Sequence, residues 1–164
     1  MEYCFSTIGQ DSHRFTESVT NDAGIVLGGI TIPSQRNIEA NSDGDVLLHA
    51  VTNAISGATG VNILGKRADE LCIKEGIKDS KVYLNEALKY LNKTRLIHIS
   101  ISVECLYPKL SPYIEDIKTN IAELLDISVS QVGLTATTGE GLTEFGKGNG
   151  IQVFVCASFI RTIE

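Results

Sequence analysis

Residues 96–138, LIHISISVECLYPKLSPYIEDIKTNIAELLDISVSQVGLTATT, decide the fold. Apolar residues alternate at Ile97, Ile99, Ile101 and Val103, the period of a strand with one buried face. His98 shares that strand and reads as an outward or interfacial residue. The periodicity then changes. Ser111 and Pro112 stand at a helix cap and first helical position, and Ile114, Ile117, Ile121, Leu124 and Leu125 recur at helical spacing. SQVGLTATT returns to strand. A strand, a helix and a second strand in this order fit an α+β fold.

The same tests place the other elements. Residues 3–8 predict a strand, and GIVLGGITIP, residues 24–33, predicts a hairpin turning at Gly28 and Gly29. In NSDGDVLLHAVTNAISGATG, Ser42 or Asp43 serves as a cap with acids in the first turn. Val46, Leu47, Ala50, Ala54 and Ile55 then give a helix over residues 44–58. SKVYLNEALKYLNKT predicts a second helix with Ser80 as its cap, and GIQVFVCASFIRTI a last strand. Residues 60–79 carry little pattern and suit a surface loop or short helix that covers a site. The expected whole is one domain over residues 1–164, a mixed or antiparallel sheet with about three helices on one face. The outer face of VFVCASFI is a candidate for burial by self-association.

Composition excludes several classes. With 14 Lys and Arg against 20 Asp and Glu, net charge −6, the chain lacks the basic footprint of a nucleic-acid or anionic-membrane binder. Any anionic ligand must be held locally, by backbone amides, a metal or a few basic side chains. The cysteines at 4, 72, 105 and 156 form no CxxC pair and read as reduced core thiols of a cytoplasmic protein. No secretion signal opens the sequence and no apolar run reaches the about 18 residues of a membrane span.

Three stretches carry candidate chemistry. In GQDSHRF, Asp11 and His13 are two residues apart and project to one side of a strand; they are either metal ligands or a polar strand end. His49 offers a third ligand, and one Asp with two His is an ordinary zinc set with an open fourth position. The SDGD turn opening the helix suits a phosphate or is plain capping. Asp45, four residues before His49, either orients that imidazole or favours the helix N-terminus. TATTGEGLTEFGKGNGI, residues 135–151, places Thr137, Thr138 and Glu140 among glycines around Lys147. That loop suits a diphosphate with a magnesium on Glu140, or a Gly-rich strand connection.

Taken in order, GxDxH, SDGDVxxHA and ATTxExL…GxGxGI resemble the 2-C-methyl-D-erythritol 2,4-cyclodiphosphate synthase family of non-mevalonate isoprenoid synthesis. The resemblance runs from about residue 8 to the C-terminus and includes YPKLSPYI. It implies a ferredoxin-like βαβ arrangement and a homotrimer with sheets facing the threefold axis and a site at each subunit interface. It implies one Zn2+ per subunit on Asp11, His13 and His49, and Mg2+ or Mn2+ on Glu140 beside the diphosphate. Thr138 matches a residue that stabilises the transition state. Asn41 stands where the family has a histidine with a stabilising role toward phosphate, and is carried over as its counterpart. Substrate contacts fall on Asp11, Ser12, His13, Asn41, Ser42, Gly65, Thr137, Thr138, Glu140 and Lys147. Cys105, Leu106, Tyr107, Pro108, Lys109, Leu110 and Ser111 fall along the CMP part.

The implied reaction is a CMP-forming cyclisation of a CDP-alcohol phosphate. Its alternatives are action on another CDP-linked alcohol, or a trimer that binds zinc and a cytidine nucleotide without turnover. The sequence departs from the family pattern at specific places. Ile63 occupies the position of an Asp that binds the polyol hydroxyls, in a loop where Gly65 and Lys66 are retained. Glu144 replaces a Phe, Asn149 replaces a Glu, and Lys147 replaces an Arg facing the threefold axis.

Overall fold

The computed structural model describes residues 1–19, 24–65, 68 and 76–163. Four strands form one sheet: β1 (Glu2–Arg14), β4 (Thr94–Glu104), β5 (Val132–Thr137) and β6 (Gly150–Thr162), in the order β1-β6-β4-β5. β6 runs antiparallel to both β1 and β4, and β4 and β5 are parallel. The sheet is therefore mixed. A separate hairpin pairs β2 (Gly24–Leu27) with β3 (Ile30–Pro33) through Gly28 and Gly29, both at positive φ. The helices are α1 (Val46–Thr59), α2 (Ser80–Leu88) and α3 (Ile114–Leu125). The α+β class, with three helices and a mixed sheet among the described residues, is as expected.

The core lies between the inner face of the sheet and the helices. Ile99, Ile101 and Val103 of β4 alternate inward with Ile151, Val153, Val155, Ala157 and Phe159 of β6. They meet Leu47, Ala50, Val51, Ala54 and Ile55 of α1 and Ile117 and Ile121 of α3. Burying each such side chain contributes roughly 1.5–3 kcal/mol, before the loss of chain entropy is counted. The parallel pair β4 and β5 is joined through α3, whose apolar face closes the far side of the core.

Several boundaries differ from expectation, each for a local reason. β1 does not stop at residue 8: it pairs with β6 without interruption from Glu2 to Arg14. Asp11 and His13 thus sit within the strand. α1 is capped by Asp45, whose carboxylate accepts from the Leu48 amide at 2.9 Å, in place of Ser42 or Asp43. Ser42 instead braces the preceding turn, accepting from the Gly44 amide. α2 is capped by Asp79, so Ser80 is its first helical residue; the helix ends at Leu88, beyond which the Tyr90 and Leu91 amides donate to the i−3 carbonyls of Ala87 and Leu88 and Asn92 takes a positive φ. Ser111 and Pro112 form a 3-10 turn, Ser111–Tyr113, before α3. Among the cysteines, Cys105 is a core thiol, but Cys4 and Cys156 are exposed on the outer sheet face, and Cys72 lies outside the described residues. His98 faces outward, as expected. Residues 66, 67 and 69–75 of the predicted covering segment at 60–79 also lie outside the described residues. No helix among the described residues is long and apolar enough to cross a membrane.

Candidate metal centre and nucleotide pocket

The approach of α1 to β1 builds the centre. At Gly9 a Cβ would stand 2.0 Å from the Ala50 carbonyl oxygen and 2.5 Å from the Ala54 amide nitrogen. Only a glycine lets the helix lie this close, and Thr7 fastens the contact with a hydroxyl donated to the Ala54 carbonyl at 2.6 Å. His49, one residue before Ala50, is thereby brought over the inner face of β1, where Asp11 and His13 project two residues apart.

The three side chains converge. Asp11 Oδ2 lies 3.0 Å from His49 Nδ1 and 3.3 Å from His13 Nε2, and the two ring nitrogens are 3.5 Å apart. Burial pushes the Asp11 carboxyl up, but the neighbouring His13 and His49 outweigh it and hold the group well below the usual carboxylate range. A tetrahedral ion with bonds of about 2.0–2.1 Å needs ligand atoms about 3.3 Å apart. The separations of 3.0, 3.3 and 3.5 Å match that edge, and one carboxylate with two imidazoles is the donor set of a divalent metal. The triad fits a divalent metal site.

A cavity of about 280 Å³ opens over the triad, lined also by Ala40, Asn41, Ser42, Asn53, Leu64, Gly65, Ala68 and Tyr83. Asn41 and Ser42 reach it because residues 37–39 run beside the end of β1, Glu39 donating its amide to the Arg14 carbonyl and Thr16 its amide to Asn37. Asp45 does not orient His49. Its carboxylate is wholly buried and accepts from the amides of Gly28 at 2.9 Å and Gly29 at 2.6 Å besides Leu48, tying the hairpin turn to α1. Ile63 does not face the cavity either: it is a core residue whose amide donates to Ser56 Oγ. Lys66 lies outside the described residues.

A second cavity, about 310 Å³, is lined by Cys105, Leu106, Pro108, Lys109, Leu110, Ser111, Ile114, Ala136, Thr137 and Thr138. It sits at the C-terminal ends of the parallel strands β4 and β5, above the start of α3. Cys105 donates its thiol to the Pro108 carbonyl; burial, with Glu104 adjacent, pushes that thiol up to about 12. Tyr107, which precedes a cis peptide bond to Pro108, is exposed and lies against Gly148. Glu140 is exposed in the 3-10 turn Gly139–Gly141, held at φ 52° between two glycines of positive φ. A non-glycine residue in that region costs about 1 kcal/mol, a strain often kept where a side chain must be presented. Lys147 turns away to pair with Glu144 at 2.7 Å, and Asn149 donates to the same carboxylate at 2.6 Å, which together hold Glu144 below its ordinary value. Ser12 lines a third groove with His13, Arg14, Glu144, Phe145 and Asn149.

Within one chain, then, Asp11, His13, His49, Asn41, Ser42 and Gly65 share one cavity, and the Cys105–Ser111 loop with Thr137 and Thr138 lines another. Ser12, Tyr107, Glu140 and Lys147 line neither. Two residues of the first site had no sequence signal. Asp43 and Ser80 meet behind His49, though 37 positions separate them, and only the packing of α2 on α1 joins them. Glu104 is a third such residue: it accepts a hydrogen bond from the Thr143 hydroxyl and so holds down the loop that carries Glu140.

The model of the YgbB family matches residues 5–160. The chain belongs to the YgbB family. It is 51% identical over 148 residues to the 2-C-methyl-D-erythritol 2,4-cyclodiphosphate synthase of Chlamydia muridarum, covering 90% of this chain and 83% of that one. Its fold matches the bifunctional IspDF of Campylobacter jejuni with a TM-score of 0.87 at 30% identity, over 99% of this chain but only 43% of that protein. It also matches IspF of Plasmodium falciparum, solved as a CDP complex, with a TM-score of 0.80 at 26% identity, over 98% and 97% of the two chains. The Asp11, His13 and His49 cluster and the Cys105–Ser111 loop thus belong to a YgbB-family fold.

Proposed function

We propose that this protein is a 2-C-methyl-D-erythritol 2,4-cyclodiphosphate synthase. It converts 4-diphosphocytidyl-2-C-methyl-D-erythritol 2-phosphate to the 2,4-cyclodiphosphate and CMP in non-mevalonate isoprenoid synthesis. The observation that carries this reading is the metal-type triad opening into the same cavity as Asn41 and Ser42, in a chain 51% identical to a protein of that name.

An oxygen of the substrate's own 2-phosphate attacks the β-phosphorus of its CDP group. A new phosphorus–oxygen bond closes the ring, the bond from the β-phosphorus to the bridging oxygen breaks, and CMP leaves with that electron pair. A phosphate monoester with a second pKa near ~6 is mostly ionised at neutral pH, so no protein base has to remove a proton. The chain's task is to fold the substrate on itself and offset its charge. Asn41 and Ser42 donate hydrogen bonds to the phosphates beside the triad. The Cys105–Ser111 loop, with Lys109, lies along the CMP part, and the Thr137 and Thr138 hydroxyls reach the diphosphate, Thr138 at the reacting phosphorus. Asp11, His13 and His49 would hold one Zn2+, and Glu140 Mg2+ or Mn2+; when bound, these cations supply charge neutralisation along the diphosphate.

The two cavities belong to one reaction if each metal cavity is completed by the nucleotide pocket of another subunit. We therefore read the protein as a cytoplasmic homotrimer of single domains spanning residues 1–164, with outer sheet faces toward the threefold axis. The parallel β4 and β5 joined through α3 support a ferredoxin-like arrangement of each domain.

Incubation of the purified protein with its substrate, Zn2+ and Mg2+ is expected to release CMP and the cyclic diphosphate in equal amounts. Release of CMP from other CDP-alcohols alone, or nucleotide binding without turnover, would overturn this assignment.

A further inference from the structure

The side of His49 that faces away from the triad is as ordered as the side that faces it. Its Nε2 lies 2.9 Å from the hydroxyl of Ser80, the first residue of α2, which has no solvent exposure. That hydroxyl also contacts Asp43 Oδ1, while the Ser80 amide donates to Asp43 Oδ2 at 3.0 Å. Asp43 is itself fixed: its amide donates to the Lys78 carbonyl at 2.9 Å, and its Oδ1 accepts from the Asp45 amide at 3.2 Å.

The direction of each hydrogen bond follows from counting protons. An ionised carboxylate only accepts, and a serine hydroxyl has a single proton. The Ser80 proton therefore goes to Asp43, which leaves Ser80 Oγ able only to accept from its other neighbour. That neighbour is His49 Nε2, so Nε2 carries the imidazole proton and Nδ1 carries the lone pair. Nδ1 is the atom 3.0 Å from Asp11 Oδ2 and 3.5 Å from His13 Nε2. Two lone-pair atoms facing each other at 3.0 Å repel, and a cation between them removes the repulsion.

We propose that Asp43 and Ser80 form a relay that fixes the tautomer of His49 and so makes Nδ1 its metal-ligating atom. Both are positioning residues: neither borders the cavity, and each acts through His49. This rests on the metal-centre reading of Asp11, His13 and His49. Outer partners of this kind orient the ring and raise the basicity of the ligating nitrogen.

Two measurements test it. In metal-free protein with ¹⁵N-labelled histidine at about pH 8.5, two units above an ordinary imidazole, long-range ¹H–¹⁵N correlations are expected to place the His49 proton on Nε2. A proton on Nδ1 overturns the relay, and this reading needs no substitution and no activity. Second, Zn2+ affinity is measured by competition with a chromogenic chelator. Ser80→Ala is expected to weaken it about 10- to 100-fold, with the circular dichroism spectrum unchanged, and to have no further effect in a His49→Ala background. A clip between α2 and the 42–45 turn with no bearing on His49 would lower the melting temperature but leave both tautomer and affinity as they were, and that result overturns the proposal. Loss of Zn2+ in His49→Ala with full affinity in Ser80→Ala removes the relay alone. Full affinity in His49→Ala removes the metal-centre reading, and the relay with it.

Discussion

Asp45 shows how one side chain can serve the site without touching it. Its carboxylate is wholly buried, which pushes its pKa up, while amide donation from Leu48, Gly29 and Gly28 pulls it down and the Asp43 charge raises it again. Removing it orphans three amide donors, two of them in the hairpin turn. An unsatisfied buried donor costs about 1–3 kcal/mol and a lost cap about 1 kcal/mol, with partial relief from water at the turn. Asp45→Ala is therefore expected to cost about 3 kcal/mol or more in urea unfolding, with the denaturant slope unchanged. Cys105 allows a pH test at the same scale. Its thiol is held near 12 by burial and by Glu104, against 9.0 in the unfolded chain. Because the folded value is the higher, its contribution to stability is complete below about pH 9 and is lost as pH rises toward 12. In Cys105→Ser the fall of unfolding free energy between those limits is expected to be shallower than in the parent protein; equal slopes would show that the thiol is not shielded.

At the scale of elements, the contact between β1 and α1 sets the metal centre. A methyl group at Gly9 would overlap the Ala50 and Ala54 backbone, and neither strand nor helix can yield by moving a side chain. Gly9→Ala should therefore cost about 3 kcal/mol, the upper end of overpacking. It should also lift His49 from Asp11, so that a lower melting temperature comes with weaker Zn2+ binding. Unimpaired binding in the folded variant would mean that helix and strand position the ligands independently. This contact also explains what the sequence could and could not reveal. Period-two and helical spacing identified β4, β6, α1 and α3, because their buried faces are made of Ile, Val and Leu. The same criterion ended β1 at residue 8, since from there its inward positions are Gly9, Asp11 and His13, a close approach and two ligands with no hydropathy signal. Leu91 continues the apolar spacing of α2 beyond its end at Leu88, although the Tyr90 and Leu91 amides already donate to i−3 carbonyls, which apolar spacing does not reveal. The triad was legible through the order of the three motifs GxDxH, SDGDVxxHA and ATTxExL, because an Asp and a His at two-residue spacing on a strand end are by themselves a common pair. Asp43 and Ser80 were not, since their meeting depends on how α2 packs.

At the scale of the whole molecule, the outer face of the sheet is the feature that one chain does not explain. Ile8 is 71% exposed and Phe154 44%, on the paired strands β1 and β6, among small polar neighbours such as Ser6, Ser100, Ser102 and Ser158. Exposed apolar side chains among small residues suit association of copies. Under the proposed function, the separation of the triad's cavity from the cavity lined by the Cys105–Ser111 loop gives that association a chemical purpose. Sedimentation equilibrium is expected to give three times the chain mass of 17.7 kDa. Phe154→Asp places a charge on that face and should shift the protein to monomers. Because Asp11, His13 and His49 all come from one chain, the monomer is expected to keep its Zn2+ while losing CMP release. Turnover by a monomeric variant would show that a single chain holds a complete site, and the trimeric reading of the two cavities would have to be given up.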